Sequence, residues 1–250
     1  MAGEIIKTQG IVLTVHPWSR TSHVVTWLTP DHGPVTTLVK GAVRAKSAFL
    51  GQYDLFYTCD LLYYARASGD LHALREVTPR NLREHLRGDW RATVLAGYAA
   101  DLVKDLAPAN AEAAAWFSFL EGLLTRLESA EGSQLVATAP GVTGPCASAL
   151  QELVCLEMEI LQLAGWAPDF SNMDPHAEWT PFAIDLGRCG EGTRTVRLSP
   201  RTVAVLNRPD ASGHALETVK DAVRFLGVFL AFHIERPPDI RRALVSLIQE

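Results

Sequence analysis

Between Gly10 and Thr78 the chain alternates inward and outward positions with the period of two that half-buried strands require. One face is carried by Ile11, Leu13 and Val15, then by Val24, Thr26 and Leu28, then by Val35, Thr37 and Val39. Turn-forming residues part these runs. Thr29-Pro30-Asp31-His32-Gly33 lies between the second and third, and Ser68-Gly69-Asp70 divides the aromatic-rich stretch Tyr53 to Arg66 from Leu71 to Val77. The pattern predicts about five short antiparallel strands in about 70 residues, which suits a small closed barrel of either the OB or the SH3-like kind.

After Pro79 the period changes. Leu82, Leu86, Trp90, Val94, Tyr98, Leu102 and Leu106 recur every four residues and predict one long amphipathic helix. A second helical segment carries Trp116, Phe117, Leu120, Leu123, Leu124 and Leu127. A third carries Leu150, Leu153, Val154, Ile160 and Leu161 before Gly165, which reads as a C-terminal cap. Ser133 to Pro145, with Pro140 and Gly141, reads as a loop between them. From Trp166 to Leu198 no period persists, and an irregular insertion with at most one hairpin is expected. Ser199-Pro200 restarts helix as an N-cap followed by proline at the first helical position. Helical patterns then run from Leu216 to Glu235 and from Asp239 to Gln249, and are expected to pack on the earlier three helices.

A chain of 250 residues that is 48% hydrophobic can bury a core in each of two or three small units. No stretch reaches the ~18 consecutive apolar residues of a membrane span, and Met1 to Thr8 lacks the basic, apolar and small-residue succession of a signal peptide. A cytoplasmic protein without a membrane partner is expected. Cys59, Cys146, Cys155 and Cys189 are scattered with no CxxC pair, so neither a disulfide framework nor a dithiol motif is indicated. The net charge of −5 excludes a protein that coats nucleic acid with its whole surface, but its distribution is uneven. Residues 1–80 hold eight Lys or Arg against six Asp or Glu, so the mild basic excess is N-terminal.

The standard catalytic constellations are missing: there is no HExxH, GxSxG, Walker loop or EF-hand loop. Gly187-Arg188-Cys189-Gly190-Glu191-Gly192 reads as a plain turn, and His233, beside Phe232, as a core or boundary residue. No enzyme is expected. A site assembled from dispersed residues such as His85, Asp101 and Asp105 is the enzymatic alternative. More informative is the basic loop Lys40-Gly41-Ala42-Val43-Arg44-Ala45-Lys46-Ser47, three cations with no acidic residue between them. Around it lie Trp18, Trp27, Phe49, Tyr53, Phe56, Tyr57, Tyr63 and Tyr64, too many for a small barrel to bury. Backbone-tracking charge with outward aromatics is the physical scheme of single-strand binding. A solvated loop above a filled aromatic core is the alternative.

Gly10-Ile11-Val12-Leu13, the Thr29-x-x-x-Gly33 turn and Val39-Lys40-Gly41-Ala42-Val43-Arg44-x-x-Ser47 resemble the opening of RecO proteins, and Leu74-Arg75-Glu76 resembles the end of that domain. Gly165-Trp166-Ala167-Pro168, Leu198-Ser199-Pro200 and the closing helix lie where the family has a GYxP-like turn, an LSP-like helix start and a terminal helix. The resemblance implies an α+β protein: an N-terminal five-stranded OB-fold barrel for DNA binding (1–79), a helical domain (80–165 and 199–250), and a small insertion (166–198) that in many members is a four-cysteine zinc module. It implies a DNA repair and homologous recombination mediator that needs no cofactor, a monomer on its own. Such a protein binds single- and double-stranded DNA, anneals complementary strands and, with RecR, helps load RecA onto DNA coated by single-strand-binding protein, whose acidic C-terminal tail it receives on the helical domain. RecA is an indirect partner. The matched cations are Lys40, Arg44, Lys46 and Arg75, to which proximity in sequence adds Arg66, Arg80 and Arg83. A protein-interaction scaffold with incidental DNA affinity is the competing class.

The insertion departs from the family pattern. The resemblance puts Met173 and His176 at the spacing of a first ligand pair, and Cys189 and Gly192 at that of a second. Only His176 and Cys189 are strong zinc ligands, and a tetrahedral structural site needs four. Asp174 or Asp185 offers at most a weak oxygen-rich completion. The insertion is expected to hold no zinc and to be a degenerate form of the module, packed around Trp179, Phe182 and Ile184.

Overall fold

In the computed structural model, strand β1 runs the full length Glu4–Ser19 and pairs with two neighbours in turn. Its first half, Glu4 to Ile11, lies antiparallel to β4 (Thr58–Ala65), and its second half, from Ile11 onward, lies antiparallel to β2 (Ser22–Thr29). A register shift between Val12 and Thr14 bends the strand where it changes partner. Ile11, Val12 and Leu13 are therefore all buried, where strict alternation had Val12 facing outward. Gly10 stands at the crossing because a Cβ there would come within 2.5 Å of the Leu61 side chain and 3.2 Å of Trp27 Cβ, both deep in the core. β2 continues antiparallel into β3 (Gly33–Val39), which pairs in parallel with β5 (Leu71–Asn81), and β5 returns antiparallel to β4. The circuit closes in the order β1-β2-β3-β5-β4.

Trp27 fills the barrel. It is wholly buried, donates its indole N–H to Thr37 Oγ1 at 2.8 Å, and meets Tyr53 edge-on at 5.9 Å. The Thr29 to Gly33 turn is closed by Thr29, whose hydroxyl donates to Gly33 O at 3.0 Å and accepts from His32 N at 3.2 Å. Gly33 has φ +67°, and a Cβ there would strike the Pro108 carbonyl, so only glycine fits.

The structure describes residues 4–66, 69–129, 145–211, 213–234 and 238–249. The chain forms two compact units, Met1–Ser129 and Ala130–Glu250. The change of period at Pro79 thus marks a change of element type within the first unit. Helices α1 (Trp90–Leu106) and α2 (Ala113–Glu128) pack on the barrel, whereas the sequence reading placed them in a helical domain with the later helices. The long helix expected from Leu82 begins only at Trp90, where the Asp89 carboxylate accepts from Arg91 N and Ala92 N. A spacing of four overshoots the helical turn by about 40° per step, so Trp90 drifts off the face and is exposed, as is Leu82, which lies ahead of the helix. Leu95, Ala96, Ala99, Leu102 and Val103 form the buried stripe instead. In α2, Phe119 rather than Phe117 is buried.

Arg83 ties the barrel to α2. It is 1% exposed and sits at φ +52°. Its guanidinium reaches Glu121 at 2.7 Å, Glu128 at 3.3 Å and Thr125 at 3.0 Å, while Thr58 of β4 donates its hydroxyl to Glu121 at 2.7 Å.

In the second unit α3 (Pro145–Leu163) ends at Gly165, φ +73°, with Trp166 N donating to Leu161 O at 2.8 Å. The insertion is more regular than expected: β6 (Thr180–Ala183) is flanked by β7 (Arg188–Cys189) and β8 (Thr195–Leu198) in a three-stranded antiparallel sheet. Strands of two to four residues are too short to leave a period in the sequence. Phe182 packs against Phe170, Phe225 and Phe229 at centroid distances of 5.6, 5.1 and 5.9 Å, fixing this sheet on α5 (Leu216–His233). Ser199 caps α4 (Pro200–Asn207) by accepting from Thr202 N, with proline at the helix start as expected. α6 (Ile240–Gln249) is held to α3 and α5 by Arg241, which grips the fully buried Glu157 at 2.6 and 2.9 Å and donates to Val223 O at 2.9 Å. The loop expected over Ser133 to Pro145 lies, up to residue 144, outside the described residues.

Removing the Arg83 side chain leaves two carboxylates facing each other, both still partly solvated. Arg83→Ala is expected to lower the unfolding free energy by about 2 kcal/mol, below the full penalty of breaking a wholly buried pair, as measured by urea denaturation.

Candidate nucleic-acid interface

The β1–β2 turn and the segment after β3 meet at one end of the barrel. Val39, the last residue of β3, pairs with His23, and beyond it Gly41 N donates to Ser22 Oγ at 3.3 Å and Val43 N to Thr21 O at 3.4 Å. Gly41 has φ +68°, and the stem of Arg44 lies over it, Cδ being 3.2 Å from where a Cβ would stand. Successive turns follow, with Arg44 N donating to Gly41 O at 3.2 Å and Ser47 N to Arg44 O at 2.9 Å. The basic loop is thus an ordered ledge pinned to the neighbouring turn.

The seven cations singled out from sequence fall into two groups. Lys40, Arg44, Lys46 and Arg66 are exposed, and among the described residues none of them has a carboxylate at ion-pair distance. Arg20, in the β1–β2 turn, shares this state and was missed, because nothing in the sequence says that this turn adjoins the loop. Arg75 instead pairs with Glu76 at 3.4 Å and lies 5.7 Å from the Tyr64 ring centroid. Arg80 donates to Asp60 at 2.6 Å, a hydrogen bond that raises its pKa further above the ordinary arginine value. Arg83 is buried in the α2 contact, so its placement among surface cations is corrected. Four charges are left free to meet a polyanion, together with Arg20.

The aromatics divide as sharply. Trp27, Tyr63 and Phe56 are core residues, and Phe49, Tyr53 and Tyr57 pack partly against it. Burial pushes the Tyr53 phenol up to about 12, and its hydroxyl lies 2.9 Å from His23 Nδ1. Burial also takes the Cys59 thiol up to about 12, so it is no nucleophile. Trp18 and Tyr64 face outward. Of the dispersed enzymatic candidates, Asp101 and Asp105 both pair with Lys104, at 3.5 and 3.6 Å, on the surface of α1, while His85 opens the short turn before that helix.

The insertion does not fit a structural zinc. His176 is exposed in a turn whose Asp174 carboxylate accepts its backbone N–H at 2.9 Å, whereas Cys189 is buried on β7, its thiol pushed up chiefly by burial. A side chain at Gly192 would collide with the Asp185 carboxylate and with Ala183 Cβ. Asp185 is itself engaged: it accepts from Thr193 N at 3.0 Å, Thr193 Oγ1 at 2.7 Å and Arg194 N at 3.3 Å, hydrogen bonds that hold its carboxyl down to about 2. Among the described residues no group of three or more His, Cys, Asp or Glu converges on a point. No described helix is long and apolar enough to cross a membrane.

Residues 1–83, the barrel with Arg83, match the family described as recombination protein O N terminal. They define the chain as one that opens with a recombination-protein domain. Similarity extends past that domain: the DNA repair protein RecO of Anaeromyxobacter dehalogenans (strain 2CP-C) is 27% identical over 259 aligned residues, which cover 96% of this chain and 95% of that one. The RecO protein of Anaeromyxobacter sp. (strain K) gives the same figures. That of Geobacter metallireducens is 31% identical over 128 residues, about half of each chain (51% and 52%). Over nearly its whole length the chain is thus similar to RecO DNA repair proteins, and its first 83 residues match the N-terminal domain of that family.

Metal analysis of untagged protein is expected to give well under one zinc per chain, and a chelator to leave the melting temperature unchanged. Stoichiometric zinc surviving dialysis would contradict this.

Proposed function

We propose that the protein is a recombination mediator that works without turnover: it binds single- and double-stranded DNA, anneals complementary strands and, with RecR, helps RecA replace single-strand-binding protein. The observation that carries the DNA-binding part is the cluster of cations with no carboxylate partner at one end of the barrel, in a chain whose net charge is −5. Elsewhere on the barrel Arg75 and Arg80 are offset by acidic neighbours. The strand order β1-β2-β3-β5-β4, closing on itself, supports an OB-fold for residues 1–79, an architecture whose loops take oligonucleotides. Annealing follows physically: two strands repel through their phosphates, and a ledge that displaces their counterions lowers that repulsion.

The second unit supplies a surface suited to a protein partner. Two adjoining clefts of about 460 and 750 Å³ share Val196, Arg224 and Val228. Apolar Val196, Leu198, Phe225 and Val228 line them beside Arg194, Arg197 and Arg224, of which Arg224 is offset by Asp221 at 2.6 Å; Glu178 also lines the smaller cleft, and Arg197 lies 4.2 Å above the exposed Trp179 ring. Apolar side chains beside Arg194 and Arg197, which have no ion pair among the described residues, favour the acidic, apolar tail of single-strand-binding protein as occupant. Titrating the tail peptide at low salt, read by tryptophan fluorescence, should saturate, and Val228→Glu, at a half-exposed position lining both clefts, should weaken binding at least tenfold. Absence of saturation would remove this partner.

Replacing Lys40, Arg44 and Lys46 together by alanine should weaken binding to all sequences alike, because phosphate contacts carry no base information. The slope of log affinity against log salt should shrink by roughly two units for single strands. Arg80→Ala, whose charge Asp60 already offsets, should change it less. An unchanged slope in the triple variant would place the DNA site elsewhere.

A further inference from the structure

We infer that Trp18, held out of the strand ladder beside the cationic ledge, is a base-stacking residue that makes the barrel distinguish unpaired bases from duplex. Trp18 is 63% exposed, more than any other large apolar side chain described, in a run from His16 to Arg20 that is exposed throughout. Its exposure is built into the backbone. The β1–β2 register shifts between Pro17, which faces His23, and Ser19, which faces Ser22, so that Trp18 has no partner across the ladder. Bulges of this kind re-aim a side chain. The turn is not free to fold over: Thr21 O and Ser22 Oγ are bound by Val43 N and Gly41 N of the ledge. An indole thus stands at the same barrel end as Arg20, Lys40, Arg44 and Lys46.

The ligand chemistry follows from that combination. Cations alone hold any polyanion, and an exposed indole alone suits any apolar partner. The two together match a strand whose phosphates run along the ledge while one base leaves its stack and lies on the ring. A duplex keeps its bases stacked inward and offers Trp18 nothing comparable. The indole therefore adds affinity for single strands only, while the cations serve both. That division suits annealing, because the product loses the contact that the separate strands enjoyed.

The inference rests on the DNA-binding reading above, and the test separates the two. Affinities of the wild type, Trp18→Ala, Trp18→Phe and the Lys40, Arg44, Lys46 triple alanine variant are measured on three probes: a single-stranded oligonucleotide, an abasic strand of equal length, and a duplex. Trp18→Ala should lose roughly tenfold on the base-bearing single strand and nothing on the abasic strand or the duplex. Trp18→Phe should keep most of the affinity, and melting temperatures should stay those of the wild type. An equal loss on base-bearing and abasic strands, or no loss on either while the triple variant binds weakly, overturns the stacking role alone. A triple variant that binds all three probes like the wild type overturns the parent reading.

Discussion

Closure of the barrel by one long strand is the constraint from which the rest of the first unit follows. β1 must serve β4 with one half and β2 with the other, and it can do so only by bending near Gly10, where there is no room for a side chain against Leu61 and Trp27. The bend fixes the direction in which β1 leaves the core. The β1–β2 hairpin then continues into β2–β3, whose register sets His23 opposite Val39 and so places the β1–β2 turn beside the end of β3, where the basic loop begins. A different β2–β3 register would separate Trp18 and Arg20 from Lys40, Arg44 and Lys46. The functional surface is a consequence of strand register rather than of any local motif.

A second consequence concerns charge. The first unit is only mildly basic, and most of its arginines are spoken for. Arg83 is inside, in the left-handed region, a conformation that costs a non-glycine residue about 1–2 kcal/mol and is held by the carboxylates of α2. Arg87 pairs with Asp54, Arg80 with Asp60, and Arg75 with Glu76. The cations around the loop, Arg20, Lys40, Arg44 and Lys46, are left unbalanced by the fold, as are Lys7 and Arg66 among the described residues. Unpaired surface charge contributes little to folding, so the four such cations gathered on the ledge and its adjoining turn are better explained by a ligand.

The strands and most helices were legible in the sequence because burial imposes its period on residue type, although β2 turns Val25 and Trp27 into the core, one position off the Val24 and Thr26 face that the alternation suggested. Thr37, polar on an inward face, was legible too, its purpose being the hydrogen bond from Trp27. What sequence could not give was anything set by long-range register: the inward turn of Val12 at the bulge, the contact of Thr21 with Val43, and the fate of Arg83, whose partners lie about 40 residues downstream on α2. Proximity in sequence placed Arg80 and Arg83 together, and a left-handed residue at the end of β5 sends one outward to Asp60 and the other inward. The insertion misled for a different reason. Its order comes from Asp185 bonding the 193–194 backbone and from Phe182 meeting α5, and neither leaves a periodic trace. The clefts of the second unit are likewise assembled from β8 and α5, distant in sequence.

At the centre of the account is the proposal that the protein uses charge without chemistry to bring two strands together. The measurement that addresses this most directly is the rate at which complementary oligonucleotides anneal in the presence of the isolated protein, followed by donor–acceptor fluorescence over a range of salt, with the strands bare or coated by single-strand-binding protein. The account predicts annealing well above the spontaneous rate at low salt, falling as salt rises, and persisting on coated strands. Annealing at the spontaneous rate at every salt concentration would contradict it.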